Sequence, residues 1–154
     1  MVGTSVQDRI ANVSLRNQPL GAWLLKGNAD RADLAARFAE EPRVSQWCVQ
    51  PSYRTRLMRP GQPVVFWASG RDGRRVGFWG LGALAGEPEL DPDDGRWHVP
   101  LDLTIAPEHA RVPRDELRAD PRLHDLEIFR QPQGSNPSYL TVEQLEALRE
   151  HFDE

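Results

Sequence analysis

The sequence predicts an α+β domain, a small mixed β-barrel flanked by short helices. Short runs rich in β-branched and aromatic residues, such as residues 64–69, are separated by Gly, Pro and Asp turn signals. Helical periodicity is confined to brief segments, so helices decorate a sheet rather than build a bundle. Regular strand–helix alternation is absent, which argues against a doubly wound sheet. A length of 154 residues suits one domain with its own core.

The elements follow in order. Residues 1–20 lack a period, end in Asn17-Gln18-Pro19 and are expected to be an N-terminal arm; residues 21–154 form the domain. Residues 21–26 are an apolar run of strand length. Asn28 and Asp30 offer N-caps for a helix over 31–40, where Leu34 and Phe38 share a face. A short helix is expected after Ser52, carrying Tyr53, Leu57 and Met58 and stopped by Pro60-Gly61. Residues 64–69 are a strand, Asp72-Gly73 is a tight turn, and residues 76–84 return antiparallel. Gly77, Gly80 and Gly82 weaken that strand unless it bends or something approaches its backbone. Residues 87–95 are a polar loop. Residues 96–105 are a strand with Trp97, Val99, Leu101 and Leu103 on one face. Residues 113–118 suit one helical turn, and residues 126–130 a last strand. The final helix is the best specified: Thr141 and Gln144 form a capping box, Leu140 and Leu145 a hydrophobic staple, and Leu145, Leu148 and Phe152 a buried stripe.

Composition narrows the function. Hydrophobic residues make up 39% and charged residues 27%, and no apolar run approaches the roughly 18 residues of a membrane span, so no membrane partner is expected. No basic-then-apolar leader opens the chain, which predicts a cytoplasmic location. Cys48 is the single cysteine, which excludes an internal disulfide and a cysteine-rich zinc site. The net charge of −4 argues against coating DNA by bulk attraction. Charge is unevenly placed, however. Arg54, Arg56, Arg59, Arg71, Arg74 and Arg75 stand against one acid, Asp72, whereas residues 87–94 hold five acids and no base.

No phosphate loop precedes a helix, no nucleophile elbow is present, and His98, His109, His124 and His151 are scattered without metal-ligand spacing. Neither a catalytic set nor a cofactor is therefore predicted. Between Trp47 and residue 84, three tryptophans sit beside six arginines. Aromatic faces stack planar rings, and guanidinium groups hold phosphates. The combination points to a reader of nucleobases.

Several segments, in order, resemble the EVE domain, a member of the PUA-like group that also contains the YTH domain. They are Trp23-Leu24-Leu25-Lys26, Trp47 with Tyr53 six residues later, Arg59-Pro60-Gly61-Gln62-Pro63-Val64, the hairpin residues 66–70 and 76–80, and residues 112–131 with Glu116-Leu117-Arg118-Ala119-Asp120-Pro121. The resemblance spans residues 21–152 and implies a PUA-like barrel. Lys26-Gly27-Asn28 and Trp47-Cys48 are similar to the YTH segments that line a pocket for methylated adenine. Carried over, Trp47 is one wall, and Lys26, Asn28 and the backbone at Cys48 face the base edge. The loop that supplies the second wall in that family has no aromatic residue here, leaving Trp67, Trp79 and Trp97 as candidates.

Tyr53, Ser69 and Asn136 complete the expected pocket, and Arg54, Arg56 and Arg74 the expected phosphate contacts. Each has a structural alternative: Trp67 and Trp79 suit a core, and Asn28 a helix cap. The implied function is binding of DNA or RNA that carries a modified base. The alternatives are a small nucleotide- or RNA-processing enzyme and a protein-interaction adaptor.

Overall fold

Two neighbouring strands run through the centre of the molecule with both faces covered, and the rest of the sheet curls from them. The computed structural model describes residues 14–15, 18–71 and 75–152. In chain order the elements are β1 (Ser14–Leu15), β2 (Gln18–Asn28), α1 (Ala32–Glu40), β3 (Arg43–Val49), a 3-10 turn (Thr55–Leu57), β4 (Pro63–Ser69), β5 (Gly77–Leu84), β6 (Glu89–Asp91) and β7 (Arg96–Ile105). A second 3-10 turn (Glu108–Ala110), β8 (Val112–Pro113), α2 (Arg114–Arg118), α3 (Glu127–Arg130), β9 (Ser138–Thr141) and α4 (Val142–Phe152) complete it.

The main path of the sheet is β1-β2-β4-β5-β7-β3, with β9 on β2, β8 on β5 and β6 on β7. Among the described residues, β2 and β4 are the one parallel pair. This is an α+β architecture, a small mixed barrel with short flanking helices. Alternate side chains explain why β2 and β4 lie at its centre. Trp23 and Leu25 of β2, with Val64 and Phe66 of β4, enter one core; Ala22, Leu24, Val65 and Trp67 enter a second. Strands buried on both faces need such continuous apolar runs. The first core fills the barrel, and the second lies under Leu117 of α2, Ile128 of α3 and Leu145 and Leu148 of α4. Strand β7 has one wet face: Val99, Leu101, Leu103 and Ile105 point inward, while Asp102 and Thr104 are exposed.

Strands β2 and β3 are joined through side chains. Asn136 Nδ2 donates to the carbonyls of Lys26 (3.2 Å) and Cys48 (3.4 Å), and Oδ1 accepts from the Lys26 N–H at 2.9 Å. The Asn136 carbonyl accepts from Gln50 N–H at 2.9 Å. One residue thus ties two strand ends that share no ladder.

Several sequence expectations need correction. Strand β2 starts at Gln18, inside the expected arm, and Leu15 and Leu20 are buried in the core. Residues 43–49 form a strand that the sequence did not announce. The register shifts between Val44 and Gln46, where β7 carries one extra residue, and Val44, Trp47 and Val49 of β3 share a face without alternating. Residues 127–130 are helical, not a strand, and the short helix expected after Ser52 is a 3-10 turn. Part of the 87–95 loop is β6. Helix α1 starts after Arg31 without a side-chain cap; Asn28 Oδ1 instead accepts from Asp30 N–H at 2.8 Å. The expected Asp72-Gly73 turn lies outside the described residues. The capping box is present: Thr141 N–H donates to Gln144 Oε1 at 3.0 Å, and Gln144 N–H to Thr141 Oγ1 at 3.2 Å. Strand β5 holds glycine because β7 presses on it. A Cβ on Gly82 would lie 2.2 Å from the Asp102 carbonyl oxygen, and one on Gly80 2.5 Å from that of Thr104.

Candidate nucleic-acid interface

Trp97 stands at the start of β7, beside the end of β3 and opposite β6. Its ladder partners are Val49 and Leu90. Val49 is core, whereas Leu90 is 53% exposed, so the half-buried indole marks where the apolar interior reaches the surface.

Two clefts meet at Trp97 and Pro51. One, of about 630 Å³, is lined by Tyr53, Arg56, Arg59 and Glu87 as well. The other, of about 620 Å³, is lined also by Cys48, Gln50, Arg96, Ser135 and Asn136. Local sequence explains both walls. Pro51 and the Ser52–Thr55 turn end β3, where Thr55 Oγ1 accepts from Ser52 N–H at 2.9 Å and donates to its carbonyl at 2.8 Å. That turn leaves Tyr53 59% exposed on the rim. The opposite wall is the β6–β7 hairpin, turned by Gly95 at φ +69°.

The clefts are more basic than the whole chain. Arg56, Arg59 and Arg96 border them, against Glu87, which pairs with Arg59 at 3.4 Å. An exposed pair of this kind is weak and easily exchanged for another anion. An aromatic face, an exposed phenol and three guanidinium groups can stack a flat ring and neutralise phosphates.

The structure therefore gathers Tyr53, Arg56, Cys48, Asn136 and Trp97 from the expected set. The others stand elsewhere. Trp47 is half-buried; its ring meets Phe66 edge-on at 5.0 Å, and its N–H donates to the Lys26 carbonyl at 3.1 Å. Trp67 is core, 3% exposed, and packed against Phe78 and Phe129, which corrects its candidacy as a pocket wall. Trp79 is equally buried, its N–H on the Arg75 carbonyl and its face under the Arg111 guanidinium, 4.1 Å from the ring centroid. That cation occupies the face a base would need. Lys26 Nζ donates to the Pro132 carbonyl at 2.8 Å, and burial lowers its pKa. Ser69 Oγ donates to the Gly27 carbonyl at 3.1 Å, and Asn28 serves its own turn.

Arg54 is a correction of another kind. It is expected on phosphate but forms a bidentate pair with Glu127 (Nη2–Oε2 2.8 Å) and donates to the Pro137 carbonyl at 3.1 Å. Hydrogen bonding to Glu127, partly offset by burial, raises its pKa still further. Arg74 lies outside the described residues. The sequence did not single out Arg96, because only the β3–β7 register brings it beside Cys48.

Asp91, Asp94 and His98 hold oxygen and nitrogen atoms within 4.8 Å of one another. These groups are engaged in the hairpin itself. Asp91 Oδ1 accepts from Asp93 N–H at 2.9 Å, Asp94 Oδ1 from Arg96 N–H at 2.8 Å, and Asp94 Oδ2 meets His98 Nε2 at 2.8 Å. The Arg96 N–H first, and His98 second, hold the Asp94 carboxyl below its usual range. We assign them to the turn rather than to a metal.

Comparison with solved structures identifies the architecture. The NMR structure of Rpa0253 from Rhodopseudomonas palustris has a TM-score of 0.64 at 18% identity, with 87% of this chain and 94% of that chain covered. A hypothetical protein from Leishmania major gives 0.62 at 20% identity, with 87% and 96% covered. Human THYN1, solved in complex with DNA containing 5-methylcytosine, gives 0.61 at 17% identity, with 86% and 98% covered. The fold is THYN1-like. Scans of the sequence against protein-family models and against curated proteins found no match.

Proposed function

We propose that this chain binds a nucleic acid strand carrying a modified base, with Trp97 as the stacking platform and Arg56, Arg59 and Arg96 on the phosphates. The observation that carries the reading is the pair of arginine-lined clefts meeting at a half-exposed tryptophan. The THYN1-like fold supports it, since human THYN1 was solved with methylated DNA. The resemblance to EVE and YTH domains points the same way, although the aromatic group here is Trp97 rather than Trp47.

Magnitudes decide which interaction does what. Stacking one base on an aromatic ring contributes roughly 1–3 kcal/mol. Burying one methyl carbon adds about 0.8 kcal/mol, or roughly fourfold in affinity. The ring therefore supplies affinity, and the modification supplies preference. A base in a duplex must first be flipped out, so a single strand is the better ligand.

The test is fluorescence anisotropy with a short single-stranded oligonucleotide carrying one 5-methylcytosine, and its unmodified twin. The methylated strand should bind about fourfold or more tightly. Trp97→Ala should weaken binding by roughly 5- to 150-fold with its circular dichroism unchanged. Three phosphate contacts give a slope of log affinity against log salt near −2, and Arg96→Ala should reduce it by about 0.7. Equal affinity for both strands, or none for either, contradicts the proposal.

A further inference from the structure

The outer face of the β3–β7 ladder carries an arrangement beyond the stacking and phosphate contacts proposed above. Cys48 and His98 are direct cross-strand partners. The register shift between β3 and β7 sets this pairing, with Trp47 inward and Cys48 outward. Cys48 Sγ lies 3.7 Å from His98 Nδ1, within reach of an S–H···N hydrogen bond. His98 Nε2 lies 2.8 Å from Asp94 Oδ2. Gly95, in the left-handed region, folds the hairpin tip so that Asp94 returns over His98 four residues later. Cysteine, imidazole and carboxylate thus stand in line.

The hydrogen bonds fix the roles. With Nε2–H donating to the Asp94 carboxylate, Nδ1 carries the lone pair, aimed at the thiol. This is the nucleophile–base–orienter geometry. The cysteine is also accessible: Cys48 is exposed and borders the 620 Å³ cleft beside Arg96 and Asn136. A free cysteine is more often buried as a small apolar side chain.

We propose that Cys48 is a peroxide-sensitive nucleophile, with His98 as its base and Asp94 as the positioning residue. The sulfur attacks one oxygen of hydrogen peroxide. An S–O bond forms as the O–O bond breaks, and His98 Nδ1 takes the thiol proton. That proton passes to the departing hydroxide, so the products are a cysteine sulfenic acid and water. Sulfur is oxidised and the peroxide reduced, and a thiol reductant reverses the change. The site lies on the wall of the proposed base cleft but stands on its own geometry. Its test requires no nucleic acid.

Cys48 is the single cysteine, so the chain reports on one thiol. The experiment treats the protein with hydrogen peroxide at neutral pH and follows sulfenic acid formation by dimedone trapping and intact mass. The same protein in concentrated urea gives the unassisted rate. A positioned base typically accelerates proton transfer a hundredfold or more; here the folded thiol should react about tenfold or more faster than the unfolded one. His98→Gln should bring the folded rate to the urea value. Asp94→Asn should slow it, and Asp94→Glu should restore most of the rate, which a purely structural role would not do. A wild-type folded rate no greater than the urea rate overturns the proposal, as does a folded His98→Gln variant as fast as wild type. If circular dichroism shows that His98→Gln does not fold, the wild-type ratio and the Asp94 pair decide.

Discussion

Glu127 shows how a single buried charge can redirect an arginine that looks free in the sequence. Its side chain is 3% exposed, and both its oxygens are taken by Arg54. Arg54 in turn lies 5.3 Å from the Tyr139 ring centroid. Removing one partner of such a pair strands the other in a low-dielectric site. Glu127→Gln should therefore destabilise the protein by about 3–5 kcal/mol in urea denaturation. The double replacement Arg54→Met with Glu127→Leu should recover most of that loss, because it leaves no charge unpaired. The partnership was illegible in sequence because the two residues are 73 positions apart. Trp67 and Trp79 failed as pocket walls for a related reason. A two-faced hairpin suited each to the core as well as to a pocket, and the packing of α3 and Arg111 places both inside. Arg56, Cys48 and Asn136, expected in the site from the sequence, lie along the two clefts.

At the scale of the element, helix α4 was readable because its capping box and stripe are local. Strand β3 was not, since its inward residues Val44, Trp47 and Val49 do not follow the period of two on which strand recognition rests. Helix α3 was mistaken for a strand because Leu126 and Ile128 alternate over too few residues to separate the two periods. Helix α4 is also tied to α2 by charge. His151 Nδ1 lies 2.7 Å from Glu116 Oε2, and Nε2 lies 2.9 Å from Asp120 Oδ2. Burial alone would lower the histidine pKa, but the two carboxylates together outweigh it and raise it. Asp120 is held well below the usual carboxylate range, first by Arg122 and then by His151. For a histidine raised on folding, the stabilisation is complete below its unfolded value near 6.5. It is lost as pH rises through the folded value. His151→Gln should accordingly cost stability at about pH 6 and little at about pH 9, as read from urea midpoints at both values. A cost that grows with pH would refute this assignment.

Across the whole molecule, the barrel was legible in outline because β2 and β4 are continuous apolar runs and β7 alternates. Closure was not, because it depends on Asn136 meeting strand ends 110 and 88 residues away. That loop also builds one wall of the cleft at Trp97, so the residue that links the strand ends also lines the candidate site. The five tryptophans then provide internal controls for the functional claim. Trp23 and Trp67 are sealed in the two cores, and Trp47 and Trp79 have their indole N–H groups bonded to backbone carbonyls. The most direct measurement is the set of indole N–H resonances during titration with the single-stranded 5-methylcytosine oligonucleotide. The account predicts that the Trp97 signal moves progressively with ligand while those of Trp23 and Trp67 stay fixed. Saturable binding that leaves Trp97 unmoved would contradict it.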